Sequence, residues 1–259
     1  MPARSRSSSR RRPACGSAPG GGASHRKGPQ SLRIIGGLWR GRRVSFPDLP
    51  GLRPTGDRVR ETLFNWLQPW VLGEDCLDLF AGSGACGFES LSRGARSAVF
   101  VEAARDATEA IEQNLAILAT TPDYQGQAMV ARMRAEQWIL SQPADQARFG
   151  LVFIDPPFIT GEQTLLLECC HLLESRGLLK PHARIYVESG APLPLDIPST
   201  SAAAPDDSAA ASDDSAAAPG DKVTTLPANW RPLRQQRAGA VYFGLFERIA
   251  AGTRADSNA

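Results

Sequence analysis

The apolar positions of this chain keep two different periods, and the alternation between them predicts its elements. Residues 76–80, 97–101 and 151–154 are short, largely apolar runs, which read as strands buried on both faces. Around them the period changes to that of a helix. Val59, Leu63, Trp66 and Leu67 share one face of a segment that opens at Asp57 and is stopped by Pro69. Ala107, Ile111, Leu115 and Leu118 make the buried stripe of 104–118. Leu165, Leu166, Cys169, Leu172 and Leu173 do the same for 162–173. Asn114 on the second helix is expected at the surface, as are Arg58, Arg60 and Glu61 in the first turn of the first. Residues 128–133 and 184–188 are further strands. Two β-like runs, 32–35 and 43–46, flank Gly36, Gly37 and Gly41 and predict a small N-terminal hairpin. A second hairpin is predicted from 233–237 and 241–246. Strands alternating with helices and closed by a hairpin give a doubly wound, mostly parallel α/β sheet with one antiparallel edge.

The rest of the chain lacks either period. Residues 1–30 carry seven bases and no acid, and 190–221 are rich in Ala, Ser, Asp and Pro. Between Asp196 and Asp221 stand six aspartates and no base. Both stretches are expected to be disordered, the first as a basic tail and the second as an acidic insertion. The ordered chain then divides into a hairpin segment at 31–56 and a larger domain at 57–250, with a polar tail at 251–259. A net charge of +2 hides this asymmetry. In the 33–60 segment Arg33, Arg40, Arg42, Arg43, Arg53, Arg58 and Arg60 face only Asp48 and Asp57. With Trp39 among them as a stacking ring, they suit a surface that follows RNA phosphates; the alternative is a solvated basic face. The five cysteines form no C-x-x-C pair and meet no histidine at metal spacing, so reduced thiols in a cytoplasmic protein and no metal are expected. No apolar run reaches the length of a membrane span, and the N-terminal composition is not that of a secretion signal.

Chemistry enters at residues 76–88, CLDLFAGSGACGF. Gly82, Gly84 and Gly87 fit G-x-G-x-x-G between a strand and a helix opening at Ala85, the context in which such a turn approaches a nucleoside cofactor. The second strand ends in Glu102, twenty positions after Gly82, where an acid binds ribose hydroxyls. Asp78 beside the turn would repel a pyrophosphate but suits the sulfonium and ammonium of S-adenosylmethionine. The strand at 151–154 runs into Asp155-Pro156-Pro157-Phe158, at the edge of the sheet where open α/β folds bind ligands. Two prolines remove two N–H donors, so Asp155 and the carbonyls accept, and Phe158 offers a ring. An exocyclic base amine, whose lone pair is delocalised until both N–H bonds find acceptors, is the group such a site holds.

Asp-Pro-Pro-Phe is similar to the (D/N/S)-P-P-(Y/F/W) signature of amino-methyltransferases. The chain from Leu32 to Arg248 resembles the RsmD family of bacterial small-subunit rRNA guanine-N2 methyltransferases, through LRIIGGLWRG (32–41), GLRPTGDRVRETLFNW (51–66), CLDLFAGSGACG (76–87), LVFIDPPF (151–158), 185–188 and LPANW (226–230). The resemblance implies a Rossmann-like class I S-adenosylmethionine-dependent methyltransferase that modifies N2 of one guanine of 16S rRNA in an assembling small subunit. It assigns Asp78, Gly82, Gly84 and Glu102 to the cofactor, with Phe80, Ala81 and Ser83 of the same turn, and Asp155, Pro156 and Phe158 to the guanine. Thr55, Arg58 and Arg60 fall in a loop-helix segment over cofactor and substrate. Where the family carries an Asp or Asn for the adenine amine this chain has Arg134, so either Glu136 two residues on or the backbone takes that contact. An adenine-N6 methyltransferase and a catalytically silent RNA-binding assembly factor are the alternatives. A monomer is expected.

Overall fold

The structure, a computed structural model, describes residues 30–49, 56–157, 161–194 and 224–250. Arg53, Thr55 and Phe158, the basic tail, the polar tail and most of the acidic insertion lie outside the described residues. Seven strands form one sheet: β3 (Asp75–Asp78), β4 (Ser97–Glu102), β5 (Gln127–Arg132), β6 (Phe149–Ile154), β7 (Leu179–Ser189), β8 (Trp230–Ala238) and β9 (Val241–Arg248). Their spatial order is β5-β4-β3-β6-β7-β9-β8. The first five run parallel, and β9 pairs antiparallel with both β7 and β8. The strand order therefore reverses between β3 and β6, the crevice at which doubly wound sheets take ligands. Strands β1 (Gln30–Arg33) and β2 (Arg43–Phe46) pair separately as the N-terminal hairpin.

Strict alternation sends successive strand residues to opposite faces, and both faces are covered. Cys76, Phe100, Phe153, Tyr186 and Phe243 point to a core closed by α1 (Asp57–Leu67), α2 (Ala85–Ser92), α3 (Arg105–Leu118) and the hairpin. Leu77, Val99, Val101, Val152, Ile154 and Val187 point to a second core under α4 (Ala135–Ser141) and α5 (Glu162–Ser175). The helix at 135–141 has no counterpart in the sequence reading, because two turns are too short to establish a 3.6 period. Its Trp138 and Ile139 are nonetheless buried against Phe149 and the strands beside it. Asn114 is buried, contrary to expectation. Its side-chain amide donates to the Ser45 carbonyl at 2.7 Å and its oxygen accepts the Ser45 N–H at 3.2 Å, so it pairs β2 to α3 as a strand would. Among the described residues no helix is long and apolar enough to cross a membrane, and no cluster of His, Cys, Asp or Glu is placed to hold a metal ion.

Candidate active site

The glycine turn connects β3 to α2 at the reversal point. Gly82 and Gly84 have φ of +51° and +75°, a region that side chains with a Cβ rarely enter. A Cβ on Gly84 would lie 2.5 Å from the Phe88 ring, and one on Gly87 would lie 2.2 Å from Phe100 of β4. The first of these glycines bends the chain, and the third lets α2 lie directly on the sheet. Glu102, at the end of β4, accepts the Gly82 N–H at 2.9 Å and the Ala104 N–H at 2.7 Å. The carboxylate thus stands against the turn, at the mouth of the crevice.

Asp78 is buried at the end of β3, where its Oδ2 accepts the Gly87 N–H at 2.9 Å. Burial pushes its carboxyl up to about 7, helped by the charge of Glu102 and opposed by the Gly87 hydrogen bond. A carboxyl poised near neutrality is sensitive to any cation brought beside it. Asp155 and Pro156 follow β6, the strand next to β3, with Asp155 half-buried, Pro156 buried and Pro157 exposed. Burial raises the Cys86 thiol of α2, and the charges of Asp78 and Asp155 raise it further. Glu136 lies in the first turn of α4, after β5, and is ion-paired to the exposed Arg134. Asp78, Gly82, Glu102, Asp155 and Glu136 therefore all belong to one edge of the sheet, that formed by the carboxyl ends of the parallel strands.

Of the proposed RNA-contacting residues, Arg33, Arg40, Arg42, Arg43 and Arg58 are exposed. Two others are not, and the structure corrects both. Trp39 is fully buried against Tyr124, with ring centroids 4.7 Å apart, so it is a core residue and no platform for a base. Leu32, Ile34, Val44 and Phe46 are buried with it, which makes the hairpin one-sided. Arg60 is fully buried too: its guanidinium donates to the Arg33 carbonyl at 3.0 Å and pairs with Asp57 and with Glu89 of α2.

Glu89 was not singled out in the sequence, and it holds the hairpin in place. It is completely buried and accepts the Ile35 and Gly36 N–H groups, each at 2.8 Å, as well as the Arg93 side chain. Ser92, one turn on, receives the Trp39 N–H on its hydroxyl and the Leu38 N–H on its carbonyl. Gly37 is required at this contact, since a Cβ there would lie 1.8 Å from the Ser92 carbonyl oxygen. The one available signal was an acid in the otherwise small and apolar helix ACGFESLS. The hairpin tip docks at the far end of α2, roughly 12 Å along the helix from the glycine turn. Arg40 and Arg42 therefore extend a basic surface away from the crevice rather than lining it.

Comparison with known proteins places this geometry. The family model described as conserved hypothetical protein 95 matches residues 32–201. The chain is 40% identical over 225 residues to ribosomal RNA small subunit methyltransferase D of Escherichia coli, covering 87% of this chain and 94% of that one. Its counterpart of the same name in Haemophilus influenzae is 44% identical over 218 residues, 83% of this chain and 93% of its own. A solved Escherichia coli structure, provisionally named as the methyltransferase yhhF, matches with a TM-score of 0.64 at 40% identity, over 85% of this chain and 99% of that one. The Thermus thermophilus 16S rRNA N2 methyltransferase RsmC, solved with AdoMet and guanosine, matches with a TM-score of 0.51 at 19% identity. It covers 86% of this chain and 50% of that one, a likeness of fold.

Proposed function

The chain belongs to the RsmD family, and from that premise we propose that it transfers a methyl group from S-adenosylmethionine to the exocyclic N2 of one guanine of 16S rRNA in the assembling small subunit. The observation that carries this reading is the adjacency of two features across the reversal point. Asp155-Pro156 ends β6, and the glycine turn ends β3, its hydrogen-bonded neighbour. The names of the relatives and the acceptor-only chemistry of the Asp-Pro-Pro motif support it.

The residues present fit the cofactor. Gly82 and Gly84 bring the backbone of the turn within reach of a ligand, Glu102 offers a carboxylate to ribose hydroxyls, and Asp78 offers one to the cationic end. Phe80, Ala81 and Ser83 complete the turn, and Glu136 is assigned to the adenine amine. S-adenosylmethionine supplies an electrophilic sulfonium methyl. The protein's own contribution lies in positioning and in electrostatics. Asp155 and the Pro156 carbonyl accept the two N2 hydrogens, which fixes the plane of the amine and directs its lone pair at the methyl. Phe158, by its place in the motif, stacks on the base. The amine proton becomes acidic only as the N–C bond forms, and Asp155, already hydrogen-bonded to it, carries it toward water. The exposed Arg33, Arg40, Arg42, Arg43 and Arg58 follow the phosphates on either side.

The test is tritium transfer from labelled S-adenosylmethionine to small-subunit particles from cells lacking this protein, followed by digestion to nucleosides. Label in N2-methylguanosine is the expected result. Label in N6-methyladenosine would keep the site and overturn the substrate. No label on particles, naked rRNA or DNA, despite measured cofactor binding, would leave a silent assembly factor.

A further inference from the structure

Glu188, the penultimate residue of β7, stands in a position the reaction above does not use. The ladder between β6 and β7 pairs Ile154 with Val187, so the next residues, Asp155 and Glu188, lie side by side on the same face of the sheet. Asp78 stands on that face too, at the end of β3, so three neighbouring strands, β3, β6 and β7, each carry a carboxylate within one residue of their carboxyl ends there. Glu188 is only 5% exposed, and among the described residues no ion pair forms on it. Its Oε2 accepts the Tyr186 hydroxyl at 2.7 Å, which fixes the carboxylate without neutralising it. Burial raises the Tyr186 hydroxyl, and the charges of Glu188 and Asp155 raise it further. Burial works to raise the Glu188 carboxyl, the Tyr186 hydrogen bond holds it down, and Glu162 of α5 raises it further. A buried carboxylate held by one neutral donor has remaining acceptor capacity and gains from a second donor.

Guanine brings such a donor. Its Watson–Crick edge carries the N2 amine and, next to it, N1–H. If Asp155 and Pro156 take the two amine hydrogens, N1–H is the donor left on that edge. We propose that Glu188, held by Tyr186, accepts guanine N1–H and thereby selects guanine over bases that present a lone pair at N1. Adenine offers N1 as an acceptor, which the carboxylate repels, so the same residue sets guanine apart from adenine at a site whose Asp-Pro-Pro motif accommodates either amine. The inference rests on the guanine-N2 reading.

The test uses small-subunit RNA in which the methylated guanine is replaced by 2-aminopurine, assembled into particles. This base keeps the N2 amine, exchanges N1–H for a lone pair and lacks O6, so the change of preference between wild type and Glu188 variants is the readout. The wild-type chain is expected to prefer guanine by roughly 10- to 100-fold in kcat/KM, the worth of a hydrogen bond to a charged group. In Glu188→Gln the side-chain amide can turn to donate to N1. Its preference is expected to vanish or reverse, with the S-adenosylmethionine Kd and melting temperature unchanged. Glu188→Asp withdraws the carboxylate by one methylene and is expected to lose rate on guanine at least tenfold while still rejecting 2-aminopurine. Wild-type preference retained in Glu188→Gln overturns the inference and leaves the guanine-N2 reading intact, as does an unaltered guanine rate in Glu188→Asp. No N2-methylguanosine from the wild-type chain on unmodified particles overturns both.

Discussion

At the scale of single residues, the proposed mechanism divides the site between groups for the base and groups for the cofactor. Asp155 belongs to the first. Asp155→Ala is expected to lower kcat by two to three orders of magnitude, the range for removing one preorganised electrostatic partner. The S-adenosylmethionine Kd, measured by calorimetry, should stay within about twofold; loss of both together would make Asp155 structural. Asp78 belongs to the second, and its chemistry is legible in a pH profile. Burial places its carboxyl near 7, so in the free protein it is largely protonated at pH 6 and ionised at pH 8. A cationic ligand prefers the ionised form, so affinity must rise with pH through 7 and level off above it. We expect S-adenosylmethionine to bind several-fold more tightly at pH 8 than at pH 6, by up to about tenfold for each unit below the pKa. Asp78→Asn should be weak and flat across the same range. A wild-type profile that is already flat would remove Asp78 from the cofactor's cationic end.

At the scale of elements, the hairpin is joined to the sheet through α2, and Glu89 is the joint. It is a buried charge satisfied by two backbone N–H groups, Arg93 and Arg60. Glu89→Ala leaves Arg60 buried beside an empty place, and is expected to cost about 3–5 kcal/mol. For a chain of this size that is a fall of about 10 °C in melting temperature, read by calorimetry. A smaller loss in Arg60→Ala than in Glu89→Ala would show that the backbone donors, not the ion pair, dominate. This joint also marks where sequence reading stops. The parallel strands, the glycine turn and the Asp-Pro-Pro edge were legible because each has a local cause: runs buried on both faces, φ-permissive residues, missing donors. Trp39, Arg60 and Asn114 were misplaced because their burial has a nonlocal cause. Each is covered by an element distant in sequence, respectively the loop around Tyr124, helix α2 and strand β2. A tryptophan or arginine amid exposed arginines reads as surface until the element that covers it is known. The signal that was available is the alternation of Leu32 with Ile34 and of Val44 with Phe46, the residues the structure buries on one side of the hairpin.

For the whole molecule, the consequence is a division of labour across α2. One end of the helix faces the crevice where Asp78, Glu102 and Asp155 gather; the other carries the hairpin tip with Arg40 and Arg42. On the proposed reading the exposed arginines serve affinity and register, not chemistry, each through its own phosphate. A guanidinium that neutralises one phosphate releases counterions, so its removal lowers the slope of log K against log salt by roughly 0.7–0.9. Arg40→Ala and Arg43→Ala are each expected to weaken binding to small-subunit RNA, reduce that slope by about this amount, and raise KM while sparing kcat. The double variant should show the sum. Arg60→Ala offers the contrast: its guanidinium is buried, so it should lower the melting temperature without changing the salt slope. Unaltered salt slopes in the Arg40 and Arg43 variants would return the hairpin to a solvated basic face. In that case contact with RNA would fall to Arg53, Thr55 and Arg58 and to the carboxyl edge of the sheet.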